Sequence, residues 1–534
     1  MSEESVYRGE EMEFKRHFTE ADLERLFDGF TLPEDFLFGV ANAAFQVEGG
    51  FNGPGEPLNN WVEGERSGRY AVSGEAVRFW TDYPEQLEMA KGLGLNGFRI
   101  SIEWARIQPL TSVKHGVVPP FDDAAIEAYS DMIAAIRDSG MEPVVTLHHF
   151  THPFWLGLDY WLDDDRLDLF DRYVEEVTGR LNALLVEKHS QDPLRLYVTI
   201  NEPNGLAPLF YTLRYFPHRK AGLARTAHAL GNLVAAHCLA YDTIHRVYRD
   251  RGWDRPMVSY NTIHLSVYHL DKMVTDLLLA RRNGVERGDL PEYLVSGKQA
   301  WDQAVSDTPE VIGAARPYRW FESAMDRASA RYFTCERLAR GIDAIYRSPV
   351  ADKLDYLATD YYDPFIRNML KLPSFQDMRE ARFLPNQELW EQVLNPRGLY
   401  HFIKGELVNA DGLPLYVLES GMCYRERKGR VEQRYDAATR DVFLQSYIYE
   451  VMRAIADGMP VRGFFQWTLV DNYEWGSYEP RFGLYTVDRS RTPVKISSVD
   501  AWGVNAGGAF GELIAAVRSR DLDRIKRAFT RDDW

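Results

Sequence analysis

Leu194-Arg195-Leu196-Tyr197-Val198-Thr199-Ile200-Asn201-Glu202-Pro203 is an apolar run that gives way at once to an amide, a carboxylate and a proline. Seven more short apolar runs stand along the chain, at Phe36–Phe45, Gly97–Trp104, Pro143–His149, Pro256–Thr262, Leu354–Tyr361, Leu415–Leu418 and Val461–Leu469, with helical stretches between them. Strands alternating with helices favour parallel βα units, and eight such units close into a barrel rather than an open sheet. The expected fold is therefore α/β, a (β/α)8 TIM barrel with extended loops.

The barrel is taken as residues 34–502, and three segments depart from its rhythm. Residues 1–33 form an N-terminal extension in which Thr19 and Asp22 cap an amphipathic helix bearing Leu23, Leu26, Phe27 and Phe30, expected to cover the barrel bottom. Residues 266–345 read as a mostly helical, Arg-rich insertion between strands five and six. Residues 503–534 put Leu513, Ile514, Val517, Leu522, Ile525 and Phe529 on roughly one helical face, which reads as a docked tail helix.

The 534 residues carry a formal charge of −17, the wrong sign for a protein that must replace the counterions of a phosphate backbone, so no nucleic-acid partner is expected. No apolar run reaches the length of a membrane span. Met1 to Phe18 is rich in Glu and Arg, unlike a secretory signal, and Cys238, Cys335 and Cys423 lack the spacing of a zinc site or a disulfide framework. These features point to a cytoplasmic protein that leaves membranes alone; they leave its oligomeric state open.

Barrel enzymes set their reacting groups where strands end at the C-terminal face. Two runs deliver a carboxylate there, Thr199–Pro203 with Glu202 and Val417-Leu418-Glu419-Ser420-Gly421 with Glu419. Acetal hydrolysis needs such a facing pair: one acid protonates the leaving oxygen, and one ionised carboxylate attacks or stabilises the anomeric carbon. For either glutamate alone a loop salt bridge is the ordinary alternative, and for Arg99 on strand two an ion pair with Glu103. His148, His149 and His152 do not read as a metal site, because adjacent strand residues point to opposite faces. The cluster His218-Arg219-Lys220 reads as a solvated loop.

Phe36 to Gly49, the T-x-N-E-P pattern at Thr199–Pro203, and Trp467-Thr468-Leu469-Val470-Asp471-Asn472-Tyr473-Glu474-Trp475 occur in this order and resemble glycoside hydrolase family 1, the β-glucosidases and β-glycosidases. The resemblance implies retaining cleavage of a small-molecule β-glycoside, with Glu202 as acid/base and Glu419 as nucleophile. It implies that Arg99 and Tyr362 hold the nucleophile carboxylate, and that Gln46, His149, Asn201 and Glu474 grip the sugar. Trp467 would be the stacking floor and Trp475 would donate its indole N–H; no metal and no cofactor is implied. A guanidinium beside Glu419 should keep it ionised, whereas Glu202, facing that anion in a drier pocket, should keep its proton. In a retaining enzyme the two carboxyls stand about 5 to 5.5 Å apart.

Several positions depart from the family's pattern: T-E-N-G is here Leu418-Glu419-Ser420-Gly421, N-Y-Y is Asp360-Tyr361-Tyr362, the Trp after His149 is Phe150, and Thr468 stands for the Ser after Trp467. Glu474 stands where 6-phospho-glycosidases of the family lack an acid, which implies an unphosphorylated sugar, a β-glucoside first, with β-galactoside or β-fucoside as alternatives. A transglycosidase with the same covalent intermediate and a sugar-binding pseudoenzyme are the competing functions; the presence of both carboxylates argues against the second. A Schiff-base aldolase would need a strand-end lysine, which none of the eight runs supplies.

Overall fold

The computed structural model describes residues 13–111, 118–265, 267–306, 324, 326–362, 389–392 and 394–534. The barrel strands, one to eight, are Leu37–Ala41, Gly97–Ser101, Glu142–Thr146, Leu196–Val198, Met257–Ser259 with Thr262–Ile263, Leu357–Tyr361, Leu415–Ser420 and Val461–Trp467. All pair in parallel, each with its sequence neighbour, and strand one also pairs with strand eight, Ala41 opposite Trp467. The fold is the expected (β/α)8 barrel. Strand five is broken at Tyr260-Asn261: Met257–Ser259 pairs back to strand four, and Thr262–Ile263 pairs forward to strand six. The break frees Asn261 from the ladder, and its side chain joins the site described below.

Several apolar runs overshoot their strands. The run from Phe36 stops as a strand at Ala41 and coils into a helical turn at Ala44–Val47, where Ser101 Oγ, not a strand neighbour, accepts from the Ala44 N–H at 2.7 Å. The run from Gly97 ends at Ser101, before a turn at Trp104–Ile107. Inside the barrel Leu37, Val144, Leu196, Tyr356, Tyr416 and Phe465 pack into one buried cluster. Phe465 lies across strands one and two, and glycine is required beneath it: a Cβ on Gly39 would sit 2.4 Å from its ring, and one on Gly97 would sit 2.8 Å away.

The N-terminal helix, Glu20–Phe27, has the predicted capping box between Thr19 and Asp22. Its partners include the final helix: Phe27 meets Phe529 at 5.8 Å between centroids, and Glu24 pairs with Lys526. The tail is two helices rather than one, Ala506–Ser519 and Leu522–Thr530. Arg520 takes a left-handed conformation, φ 58°, and the Asp521 side chain accepts from the Arg524 N–H, so one helix ends and another is capped within two residues. The turn leaves Leu522 half-buried while the other five predicted apolar positions are buried. Helices Tyr268–Asp271, Met273–Ala280 and Leu290–Ser306 fall within 266–345, the segment expected as an insertion, and Ala339–Arg347 runs past its end. Parts of that insertion, and residues 1–12 of the extension, lie outside the described residues. Among the described residues no helix is long and apolar enough to cross a membrane, and the three cysteines are free thiols.

Candidate active site

Glu202 lies four residues beyond strand four, in a left-handed conformation, φ 40°, directly before the helix Pro203–Tyr211. Such a φ is uncommon away from glycine and is a feature of functional turns. Pro203, with φ already set for a first helical turn, starts the helix, and Gly205 leaves room above it: a Cβ there would meet Glu202 Oε2 at 3.1 Å. Glu419 is contributed by strand seven. One oxygen from each of Glu202, Glu419 and Asp360 lies within 4.8 Å of the other two, slightly closer than the predicted separation and well short of the roughly 6.5 Å at which inverting pairs begin.

Glu419 is the best supported of the three carboxyls. Arg99 Nη1 donates to its Oε1 at 2.5 Å and the Tyr362 hydroxyl donates to its Oε2 at 2.7 Å. Arg99 is buried, and its partners are Glu419, Asn201 and Thr146 rather than Glu103; its Nη2 donates to Asn201 Oδ1 at 2.6 Å and its Nε to Thr146 Oγ1 at 3.0 Å. Burial raises the Glu419 carboxyl, and the Arg99 charge together with the Tyr362 and Arg99 hydrogen bonds pulls it back. For Glu202, burial and then the Glu419 charge outweigh the lowering effects of Asp360 and Arg99 and push it up to about 8. The two environments thus differ in the expected sense, although desolvation acts on both.

Asp360 is the unexpected third acid. It is fully buried, its carboxyl is in hydrogen-bonding contact with that of Glu202, and its Oδ1 is 3.9 Å from Arg99. Burial first, then the Glu419 charge, holds it well above the ordinary carboxylate range. Its other oxygen accepts from Asn261 Nδ2. Asn261, which sequence reasoning missed, also donates to Asn201 Oδ1 at 2.8 Å. The only sequence signal was a polar residue inside an apolar run. These three acids are also the one group among the described residues with metal-ligand spacing. Arg99, 2.5 Å from Glu419, already supplies positive charge there.

Of the remaining predicted residues, Gln46 and Asn201 are buried and bonded to Glu474 and Arg99, and the other four face a common space. His149, Trp467, Glu474 and Trp475 line a cavity of about 370 Å³ that also holds Glu202, Glu419 and Tyr362. The His149 ring is stacked on Trp467 and on Trp475, with centroids at 6.0 and 5.7 Å. Burial keeps it neutral. Gln46 Nε2 donates to Glu474 Oε2 at 3.2 Å, and the Trp467 indole also bonds to that carboxyl. Glu474 is pushed up to about 8 by burial and by the Glu419 charge. Buried polar atoms without a partner among the described residues include Asn201 Nδ2, Gln46 Oε1 and His149 Nδ1, a set of donors and acceptors open to sugar hydroxyls. Thr468, in place of the family's Ser, donates through its hydroxyl to Ala41 O and Asn42 Oδ1 at 2.7 and 2.6 Å. Phe150 packs edge-on against Trp475. Among the other candidates, His148 is buried and held neutral, while Arg219 pairs with Glu63 and the backbone of Arg219-Lys220 is held by Asp159.

A parallel (β/α)8 barrel with paired glutamates at strand ends, close enough for direct attack rather than an intervening water, defines a class: the retaining glycoside hydrolases. The sequence profile of glycosyl hydrolase family 1 matches residues 29–283 and 342–498, and the chain belongs to that family. It is 28% identical over 498 residues to "Beta-glucosidase 47" of Arabidopsis thaliana, covering 87% of this chain and 83% of that protein. It is 25% identical to a "6-phospho-beta-galactosidase" of Clostridium acetobutylicum, over 85% of this chain and 92% of the relative. Among solved structures, the "beta-glycosidase from Pyrococcus horikoshii" superposes with a TM-score of 0.62 at 23% identity, over 94% of this chain and 99% of the other, a likeness of fold.

Proposed function

We propose that this enzyme hydrolyses a β-linked, unphosphorylated glycoside, a β-glucoside foremost, by double displacement. Glu419 attacks the anomeric carbon while Glu202 gives its proton to the leaving oxygen; Glu202 then takes a proton from the water that releases the sugar from Glu419. The observation that carries the reading is the asymmetry of the pair. Glu419 has a cation and a phenol on its two oxygens, and Glu202, at about 8, retains its proton at neutral pH. Gln46, His149, Asn201 and Glu474 hold the sugar hydroxyls against Trp467 and Trp475. The unphosphorylated sugar is supported by a cavity with no Lys or Arg among its described lining residues. It is supported too by Arg481, which is committed to Glu426 at 2.6 Å and Asp471 at 3.5 Å. The three free thiols support a cytoplasmic site of action.

The test is a panel of nitrophenyl glycosides varying in sugar, anomer and 6-phosphorylation, with product configuration followed by NMR. Turnover of a β-glucoside with retention, far faster than of its 6-phosphate, is the expected outcome. A preference for the phosphorylated sugar, or an inverted product, would overturn it.

A further inference from the structure

Resting on that reading, we infer that the leaving group of the natural substrate is a bulky apolar alcohol or phenol rather than a second sugar. The cavity that contains Glu202 and Glu419 extends past them over a wall whose chemistry changes abruptly. At the sugar end stand His149, Glu474 and the two tryptophans; beyond Glu202 the wall is built from Leu209, Leu213, Leu265, Leu270, Tyr332 and Phe333. These come from three parts of the chain: the helix that Glu202 opens and the loop after it, the segment following strand five, and residues 326–333. The family profile leaves 284–341 unmatched, so Tyr332 and Phe333 belong to chain that the family as a whole does not share.

The few polar groups on this wall do not suit a sugar. Thr212 and Thr226 face each other with their hydroxyls 2.6 Å apart and satisfy one another. Among the described residues Ser329, the Gln392 amide and the Tyr332 hydroxyl remain, and no ionised group lines this end. A second pyranose would bring several hydroxyls, each a donor and an acceptor, into a wall that offers them three such side chains, and unmatched hydroxyls buried on binding are penalised. An aromatic, fused-ring or alkyl leaving group brings no such demand and gains by leaving water. Glu202, at the boundary, reaches the glycosidic oxygen in either case, so the preference is set by the wall and not by the reacting groups.

The experiment compares three substrates carrying the same β-sugar: the nitrophenyl glycoside, the octyl glycoside and the disaccharide with a β-1,4-linked glucose as leaving group. Expected are a kcat/KM for the octyl glycoside at least tenfold above that for the disaccharide, and a roughly tenfold loss on the octyl glycoside alone in Tyr332→Ala, in line with the worth of a hydrophobic contact in discrimination. Tyr332→Phe should keep the preference. Should Tyr332→Ala fail to fold, Leu213→Ser, in a different segment of the wall, gives the same reading. Equal or better turnover of the disaccharide, with the nitrophenyl glycoside still cleaved, overturns this inference and leaves the proposed hydrolysis standing; no turnover of any of the three overturns the proposed hydrolysis itself.

Discussion

Replacing Asp360 by Asn removes one titratable group from the buried trio and keeps the shape and the acceptor for Asn261. The outcome depends on whether Asp360 carries charge. Glu202 and Asp360 have oxygens within 4.8 Å of each other, and two carboxylates at that distance repel by about 3.5 kcal/mol at an effective dielectric near 20, roughly two and a half pH units. An ionised Asp360 would therefore hold the Glu202 proton strongly, and its loss would drop the alkaline limb of activity by about that amount. The structure argues the opposite state. The single cation within reach, Arg99, is 3.9 Å from Asp360 but 2.5 Å from Glu419, and Asp360 Oδ1 accepts no ordinary hydrogen bond. Burial and the more distant cation both favour a neutral Asp360. The Asn variant should keep its alkaline limb at or slightly above that of the parent, because the bond from Asp360 lowers Glu202 from where it would otherwise stand. Glu474 titrates in the same range, so the limb is read as the difference between profiles for a poor and a good leaving group, only the first of which needs the Glu202 proton. Stability supplies a second readout. A folded carboxyl raised above its unfolded value contributes most below the unfolded pKa and loses that contribution as pH climbs toward the folded one. Denaturation midpoints should therefore favour Asp360→Asn by a margin that grows from pH 4 to pH 7. A limb that falls by two units, or a margin that shrinks with pH, refutes a neutral Asp360.

Three further outcomes follow from the same geometry. Glu419→Ala should abolish turnover of a nitrophenyl β-glycoside, and azide should partly restore it as the α-configured glycosyl azide, identified by NMR; a rescued product of retained configuration contradicts the assignment of Glu419 as nucleophile. Glu202→Gln should slow substrates with poor leaving groups by about 100-fold or more, the usual worth of general acid catalysis, and nitrophenolates much less, because these depart without a proton; equal losses across a leaving-group series would remove the acid role. Glu474→Ala should weaken the neutral sugar, raising KM, and narrow the gap to its 6-phosphate, since the hydrogen bonds removed are ones made to the neutral sugar; an unchanged ratio of the two kcat/KM values would mean that Glu474 does not read the 6-position.

The sequence by itself carried whatever depends on local pattern. Short apolar runs separated by helical stretches named a parallel barrel, because a strand must be apolar for only a few residues to be buried and each crossover needs its own helix. Polar residues at the ends of those runs named Glu202 and Glu419, since a charged group directly after a buried strand has few reasons to be there, whereas Arg99, inside strand two, was named by the family resemblance. Where each strand stops was not local information: Phe36–Phe45 is apolar throughout, and Ser101, 57 positions beyond Ala44, turns the chain into a helix. Asn261 was invisible for the same reason, as its place depends on a break in strand five that only pairing to both neighbours reveals. The tertiary structure alone decided how the acids share protons. Glu202, Asp360 and Glu419 come from three strands, and which of them ionises depends on burial and on a single guanidinium held 2.5 Å from one and 3.9 Å from another, distances that exist only once the barrel has closed.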